Sequence, residues 1–538
     1  MKLHGKFSWF LLASSIVCFC FLFLSNRGFV SLGTSERDIR LKSKRFLNPK
    51  QQNIAIPKRP NILIIYTDDQ RFGDIDWLAN NGGKRTPAMD EIFENGVWMT
   101  QSRVTTSMCS PSRYGMHTGN YASRSLSDPS LNLSRNALGW ASVENKSAKG
   151  GRNIRLRGSK SSAGHFFQAA GYRTGFVGKW HLGGSHDKDN NVGDVALIQE
   201  QEEKLVAKIG GFDQVSGLYI WNVSYQAARL GFPRKYAVHN SAFLTQNVLS
   251  FIRSAASHPS KAPFFLIYSP TLVHSPLVSQ HDDQRLGPYG LIDLLPQPKI
   301  RENEIRLRTD MQWVGDRDRS IIELDFSIGA ILDELRRQKL DKKTLVIFMS
   351  DNNHAKSSVY DDGVAVPTAV YWQDVILPGS YSGLFSNIDI LPTVLDAAGI
   401  VYETDYFDGI SAWPALTGKE DEPRSHLLLE QGFSRTLISR DGFKYVRIEL
   451  PAGMQEALVN AKVDYSGRPY NKEPKSHFWT WQHRHPGVFD REQLYNLKLD
   501  PSEIENLVDN PESAQRLQIM RNLLEKEVSV ASYARRPG

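Results

Sequence analysis

The chain predicts an α/β protein: a large, mostly parallel sheet covered by helices, with a smaller α+β unit at its C-terminal end. Three observations predict it. From Pro60 onward, apolar runs alternate with amphipathic stretches, the order expected of strands and crossover helices. The runs are apolar almost throughout, as strands buried on both faces are. Each run ends abruptly in polar residues, where parallel α/β sheets bind ligands.

Taken in order, the N-terminus comes first. Lys2 and Lys6 precede an uncharged apolar run from Phe7 to Leu24, followed by Ser25-Asn26-Arg27. Positive charge before an apolar segment predicts export of the downstream chain. Residues 1–30 are therefore read as a signal peptide or membrane anchor. The run has borderline length for a bilayer and no small-x-small cleavage site follows it, so both outcomes stay open. Residues 31–58 are polar and basic and read as a stem or linker.

Residues 59–429 form the predicted catalytic unit. Its strands are Asn61–Thr67, Thr174–Val177, Pro263–Ser269 and Leu345–Ser350. Helices are predicted where Leu244, Val248, Phe251, Ile252 and Ala255 share one face, and again at Ile321, Leu324, Ile328, Ile331, Leu332 and Leu335. A second unit, residues 430–538, carries strand-like pieces at Arg435–Ser439 and Phe443–Arg447 and a closing helix around Ala514–Glu527. Asn132, Asn145 and Asn222 begin N-x-S sequons.

Composition narrows the function. The 538 residues are 41% hydrophobic and 23% charged, which describes an ordinary globular body. A net charge of +7 without a long Lys/Arg run fits an anionic substrate and argues against nucleic acid. Of three cysteines, Cys18 and Cys20 lie in the apolar leader. The exported body holds Cys109 alone, so it has no disulfide framework.

The polar clusters carry the chemistry. Asp68 and Asp69 follow the first strand, and Asp351 and Asn352 follow the last. Three carboxylates and an amide carbonyl make an all-oxygen site, suited to Ca²⁺ or Mg²⁺ rather than Zn²⁺. An adjacent Asp pair also serves as a helix N-cap and first-turn acid. The ligand reading is preferred because both segments terminate buried strands. Ser110-Pro111-Ser112 reads as a helix start, which favours an anion, with Arg113 one turn inside. Lys179 and His181 sit two apart, and in extended chain they face one pocket. His274 and Lys356 complete the set.

These residues also carry a resemblance. Cys109-Ser110-Pro111-Ser112-Arg113, with Gly115 and Thr118-Gly119, resembles the maturation signature of the sulfatase family. Gly178-Lys179-Trp180-His181-Leu182-Gly183 resembles its second signature. Similarity continues through Tyr360–Pro367, Asp389–Thr393, Asp408-Gly409 and Leu494–Leu497 to Leu507, nearly the whole exported body. The resemblance implies an alkaline-phosphatase-like fold and a formylglycine (3-oxoalanine) made from Cys109 by a formylglycine-generating enzyme. It implies one calcium ion held by Asp68, Asp69, Asp351, Asn352 and the group derived from Cys109. Arg113, Lys179 and Lys356 would steady the sulfate, and His181 would be the base. His274 or Lys356 would protonate the leaving alcohol.

The family commonly has two glycines and an arginine where Asp362 and Ala365 stand, and His354 follows a less common Asp-Asn-Asn. None of these replaces a proposed ligand; they bear on substrate subsites. The expected activity is hydrolysis of sulfate esters, with a sulfated carbohydrate as substrate. Two rivals remain: a formylglycine-dependent phosphodiesterase or phosphonate monoester hydrolase, and a non-catalytic glycan-binding homologue. Aromatics and cations at Ser476–His485, and the arginines of Arg152–Arg157, are candidate sugar contacts.

Overall fold

The structure is a computed structural model that describes residues 59–80, 84–124, 162–183, 195–224, 238–278, 286–287, 290–291, 315–356, 358–419, 423–431, 434–448 and 484–533. The apolar leader, the stem, Asn132, Asn145, Arg152–Arg157 and residues 476–483 lie outside these. No helix among the described residues is long and apolar enough to cross a membrane.

The main sheet has eight strands: β1 Asn61–Thr67, β2 Val97–Arg103, β3 Arg173–Lys179, β4 Gln214–Tyr219, β5 Phe264–Ser269, β6 Thr344–Ser350, β7 Thr368–Tyr371 and β8 Gly379–Ser386. Their spatial order is β8-β2-β7-β6-β1-β5-β3-β4. Every pairing is parallel except the two made by β7. This is the mixed, mostly parallel sheet that the apolar runs predict. β1, β5 and β6 are buried along their whole length, which is why they read as unbroken apolar segments. β2 (VWMTQSR), β4 (QVSGLY), β7 (TAVY) and β8 (GSYSGLFS) carry polar residues or are short, and the sequence pattern did not mark them.

Helices α1 Pro87–Asn95, α2 Cys109–Thr118, α3 Ala163–Ala169, α4 Val195–Gly210, α5 Ser241–Ser257, α6 Asp316–Arg337 and α7 Ile390–Ala397 flank this sheet. The apolar stripes of α5 and α6 are buried as their periodicity predicts, and the two helices pack together. Ile62, Ile64, Phe265, Ile267 and Ile347 join Phe167 and Phe176 in one core. Truncating such a side chain to Ala costs about 2–5 kcal/mol.

The smaller antiparallel sheet follows, in the order β9 His426–Gln431, β10 Ser434–Ser439, β11 Phe443–Ile448 and β12 Glu492–Asn496. Helix α8, Ala514–Tyr533, lays Leu517, Met520 and Leu524 against Leu428, Leu437, Tyr445 and Leu494. Lys444 of β11 is fully buried and pairs with Glu503 Oε1 at 2.6 Å and Asp361 Oδ1 at 3.1 Å. Asp361 also holds Arg103 of β2, at 2.6 Å. A buried ionic network therefore ties the small sheet to the segment that follows Lys356.

Candidate active site

β6, β1, β5 and β3 are consecutive neighbours and mutually parallel, so their carboxyl ends form one edge. Asp68 and Asp69 leave β1, Lys179 ends β3, His274 follows β5, and Asp351, Asn352 and Lys356 follow β6. Helix α2 is pinned against this edge. Tyr66 Oη and Ser112 Oγ lie 2.8 Å apart, Asn387 Nδ2 donates to Ser112 O at 2.8 Å, and Ser110 Oγ donates to His181 O at 2.8 Å. The helix begins at Cys109 itself rather than within Ser110-Pro111-Ser112, which brings the positive end of its dipole to residue 109.

The side chains converge. Lys356 Nζ stands 2.7 Å from Cys109 Sγ, and Asp68 Oδ1 is 3.6 Å from the same sulfur. Lys179 Nζ meets Asp68 Oδ2 at 2.5 Å. Lys356 also meets Asp69 Oδ1 at 2.5 Å, and Asn352 Nδ2 donates to that oxygen at 2.6 Å. Arg113 is buried, with its guanidinium 2.7 Å from Asp351 Oδ2 and 3.6 Å from Asp68 Oδ2. Ser269 and the Lys179 carbonyl accept from the same guanidinium. Arg113 thus faces carboxylates before anything else.

Two local conformations bear on the sequence reading, and the second departs from it. Neither Asp68 nor Asp69 caps a helix: Asp68 is ion-paired, and Asp69 has a φ of 57°. The extended chain expected from Lys179 to His181 stops at Lys179, because His181 has a φ of 56°. Trp180 and His181 bond instead to the carbonyls of Tyr219 and Ile220. The turn is possible because Gly178, at φ +111°, has no Cβ; one would lie 2.0 Å from the Ser269 carbonyl.

Electrostatics follow from burial and this charge pattern. Burial, then Asp351, pushes the Cys109 thiol up to about 12, so it stays protonated. Burial opposes ionisation of Asp68, but Lys179, His274, Arg113 and Lys356 outweigh it and hold its carboxyl well below the usual range. Burial and then Asp68 raise Asp351 to about 6. Burial, then Lys179 and Arg113, keep His181 neutral by lowering it well below an ordinary imidazole. Burial also lowers His274, against the pull of Asp68 and Asp69. Its Nδ1 lies 2.6 Å from the Ser275 carbonyl, which only accepts, so the proton sits on Nδ1.

The donor set fits a hard divalent cation. Ligand atoms of Asp68, Asp69, Cys109 and His274 lie within 4.8 Å of one another. Asn352 Oδ1 is buried and has no hydrogen-bond partner among the described residues. A buried carbonyl oxygen left so is costly unless something positive faces it. Asp351 stands differently, with Oδ1 accepting from the Asp69 N–H at 3.2 Å and Oδ2 held by Arg113. His274, expected to protonate the leaving alcohol, stands within the carboxylate group, its Nε2 3.8 Å from Asp69 Oδ2.

All ten predicted residues thus lie along one edge. Sequence reading missed Ser269, which braces Arg113, and the Arg103–Asp361–Lys444–Glu503 network behind Lys356. Its members are scattered through the chain and only folding assembles them.

The sulfatase family model matches residues 60–400. The chain belongs to the sulfatase family. As a sulfatase it is a sulfuric ester hydrolase. Human arylsulfatase A is 24% identical, the match covering 70% of this chain and 71% of that protein. The N-acetylgalactosamine-6-O-sulfatase of Bacteroides thetaiotaomicron is 23% identical, covering 88% and 93%. A structure solved with its substrate D-glucosamine-2-N,6-O-disulfate shares the fold, with a TM-score of 0.56 at 17% identity, covering 89% of this sulfatase and 99% of that chain.

Proposed function

We propose that this sulfatase hydrolyses sulfate esters of a carbohydrate, using a formylglycine made from Cys109 by a formylglycine-generating enzyme, with one calcium ion beside it. Magnesium is the alternative ion. The carrying observation is the pairing of Cys109 Sγ with Lys356 Nζ at 2.7 Å and Asp68 Oδ1 at 3.6 Å. Cys109 stands here as the thiol, whose sulfur occupies the place of the hydroxyl-bearing group. When present, the aldehyde hydrate supplies the nucleophilic hydroxyl and a route to release sulfate, and the cation neutralises charge on the oxygens.

Asp68, Asp69, Asp351 and Asn352 would hold the cation. Lys179 and Lys356 supply ammonium groups to the sulfate oxygens, in a buried site where such contacts are strong. Arg113 sets the charge and position of Asp351 and Asp68. Neutral His181 is able to accept a proton, as a base requires. Lys356 donates to the leaving oxygen; His274 would do so only as the imidazolium, since the neutral ring keeps its one proton on Nδ1 against the Ser275 carbonyl. Catalysis is assigned to residues 59–429 and a supporting role to residues 430–538. Lys2, Lys6 and the apolar run 7–24 support export, with that run either cleaved or kept as an anchor.

The carbohydrate assignment is supported by relatives named for N-acetylgalactosamine 6-O-sulfate and for ulvan. The experiment compares an aryl sulfate, an aryl phosphate diester and a panel of sulfated oligosaccharides on matured enzyme. Faster turnover of the diester would replace the reading with a phosphodiesterase, and no turnover of any would leave a binding protein.

A further inference from the structure

Beside the catalytic edge lies a buried imidazole that the proposed reaction does not use. His239 belongs to the segment that leads into α5. Its mount is firm. Asn240, the next residue, caps α5 by accepting from the Phe243 N–H at 2.9 Å, and Ser241 Oγ donates to Glu323 of α6 at 2.8 Å. From there the ring reaches the loop that follows β5. Its Nδ1 lies 2.7 Å from Thr271 Oγ1, and its Nε2 lies 2.7 Å from the Pro276 carbonyl oxygen. His274 stands in the chain between those two contacts.

The two bonds fix the state of the ring. The Pro276 carbonyl only accepts, so Nε2 carries the proton and Nδ1 accepts from the Thr271 hydroxyl. Burial lowers this imidazole to about 4, in agreement with a neutral ring. The loop is also held in its middle: Leu272 O accepts from the Asp68 N–H at 3.0 Å, and the Val273 N–H donates to Asp68 O at 2.7 Å. His274 comes next, and its Nδ1 is bonded to the Ser275 carbonyl at 2.6 Å. The carbonyl that orients His274 is thus followed directly by the one that His239 holds. The His274 Nε2 is left toward the carboxylates, 3.8 Å from Asp69 Oδ2. Moving the loop would strand buried polar groups on both His239 and Thr271, which favours a single path for it.

We propose that His239 is a positioning residue: by holding both ends of the loop Thr271–Pro276, it sets the direction in which His274 presents Nε2 to the substrate. The role rests on the sulfatase reading, in which His274 meets the leaving oxygen. Both nitrogens of His239 are engaged with the loop, so it offers the substrate neither a proton nor a lone pair. It acts through His274.

The test is a double-mutant cycle on matured full-length enzyme, read on 4-nitrophenyl sulfate and on an alkyl sulfate. His239→Leu should lower kcat by about 10- to 100-fold on the alkyl sulfate, with KM little changed. The loss should be smaller on 4-nitrophenyl sulfate, whose leaving group needs little help from a proton. In a His274→Ala background the same substitution should change kcat by less than about 2-fold, because the group it positions is gone. His239→Gln, which keeps a donor for the Pro276 carbonyl, should recover part of the loss. Thr271→Val, which keeps the volume and removes one bond, should show a smaller loss in the same pattern. If His239→Leu does not fold, Thr271→Val and His239→Gln decide by the same cycle. A merely structural role gives losses that multiply in full with that of His274→Ala, and that result overturns the proposal. So does an unchanged kcat in the His239 and Thr271 variants, or full activity in His274→Ala. If the parent turns over 4-nitrophenyl sulfate and the losses multiply, the positioning role alone fails. If the parent turns over no sulfate ester, the sulfatase reading fails and the role falls with it.

Discussion

The Lys356 ammonium stands between the Cys109 sulfur, at 2.7 Å, and Asp69 Oδ1, at 2.5 Å. One side chain therefore touches both the group to be modified and the carboxylates that would hold the ion. Burial opposes its charge, but the carboxylates of Asp69, Asp68 and Asp351 raise it well above an ordinary lysine, so it remains an ammonium. Lys356→Ala should lower kcat about 10²- to 10³-fold on an alkyl sulfate, the loss expected of one preorganised donor. Steady-state kinetics check this. Unchanged kcat would remove Lys356 from the reaction.

Maturation is the companion prediction. With its thiol held at about 12, unmodified Cys109 supplies almost no thiolate at neutral pH. Enzyme made without a maturation system should therefore be inactive. Peptide mass spectrometry of active preparations should find the aldehyde or its hydrate at residue 109. A fully active preparation carrying only thiol would defeat the mechanism.

The cation is tested through stability as well as rate. A ligand that binds the folded chain alone adds about 2.7 kcal/mol at 100 times its Kd. Calcium added to chelated protein should raise Tm accordingly. Asn352→Leu, which removes the buried unpartnered Oδ1, and Asp69→Asn should weaken that rise. A Tm indifferent to both Ca²⁺ and Mg²⁺ would exclude the site.

Lys444 tests the ionic network behind the catalytic loop. It is fully buried between Glu503 and Asp361, and removing one member of such a group strands the others. Lys444→Met should cost about 3–5 kcal/mol in denaturant unfolding. A loss below about 1 kcal/mol would mean that the network contributes little.

His117 gives a pH dependence. It lies buried against Trp180, Phe176 and Phe212, and burial, then Arg113, lowers it from 6.5 to about 3. Between those values the unfolded chain binds the extra proton, so stability rises with pH and is lost as pH falls from 6.5 toward 3. The loss from this residue should be about 2 kcal/mol by pH 4.5. His117→Phe should lose less Tm than the parent between pH 7 and pH 4.5. Equal losses would show that this imidazole is not the sensitive group.

The sequence by itself determined the α/β class, the central strands and the polar residues at their ends. These are local properties: both-face burial makes a strand apolar throughout, and the chemistry begins where the apolar run stops. Asn61–Thr67 could be delimited to the residue for that reason. β2, β4, β7 and β8 were not legible, because their burial depends on neighbours supplied from elsewhere in the chain.

Tertiary structure alone decided the pairings. It set Arg113 against Asp351 and Asp68 and put Lys356 on Cys109. It also turned the chain at His181. Such facts depend on distances between segments separated by up to hundreds of residues, and on backbone conformations that neighbouring strands impose. Composition and periodicity identify which groups carry charge; only packing decides which of them face each other.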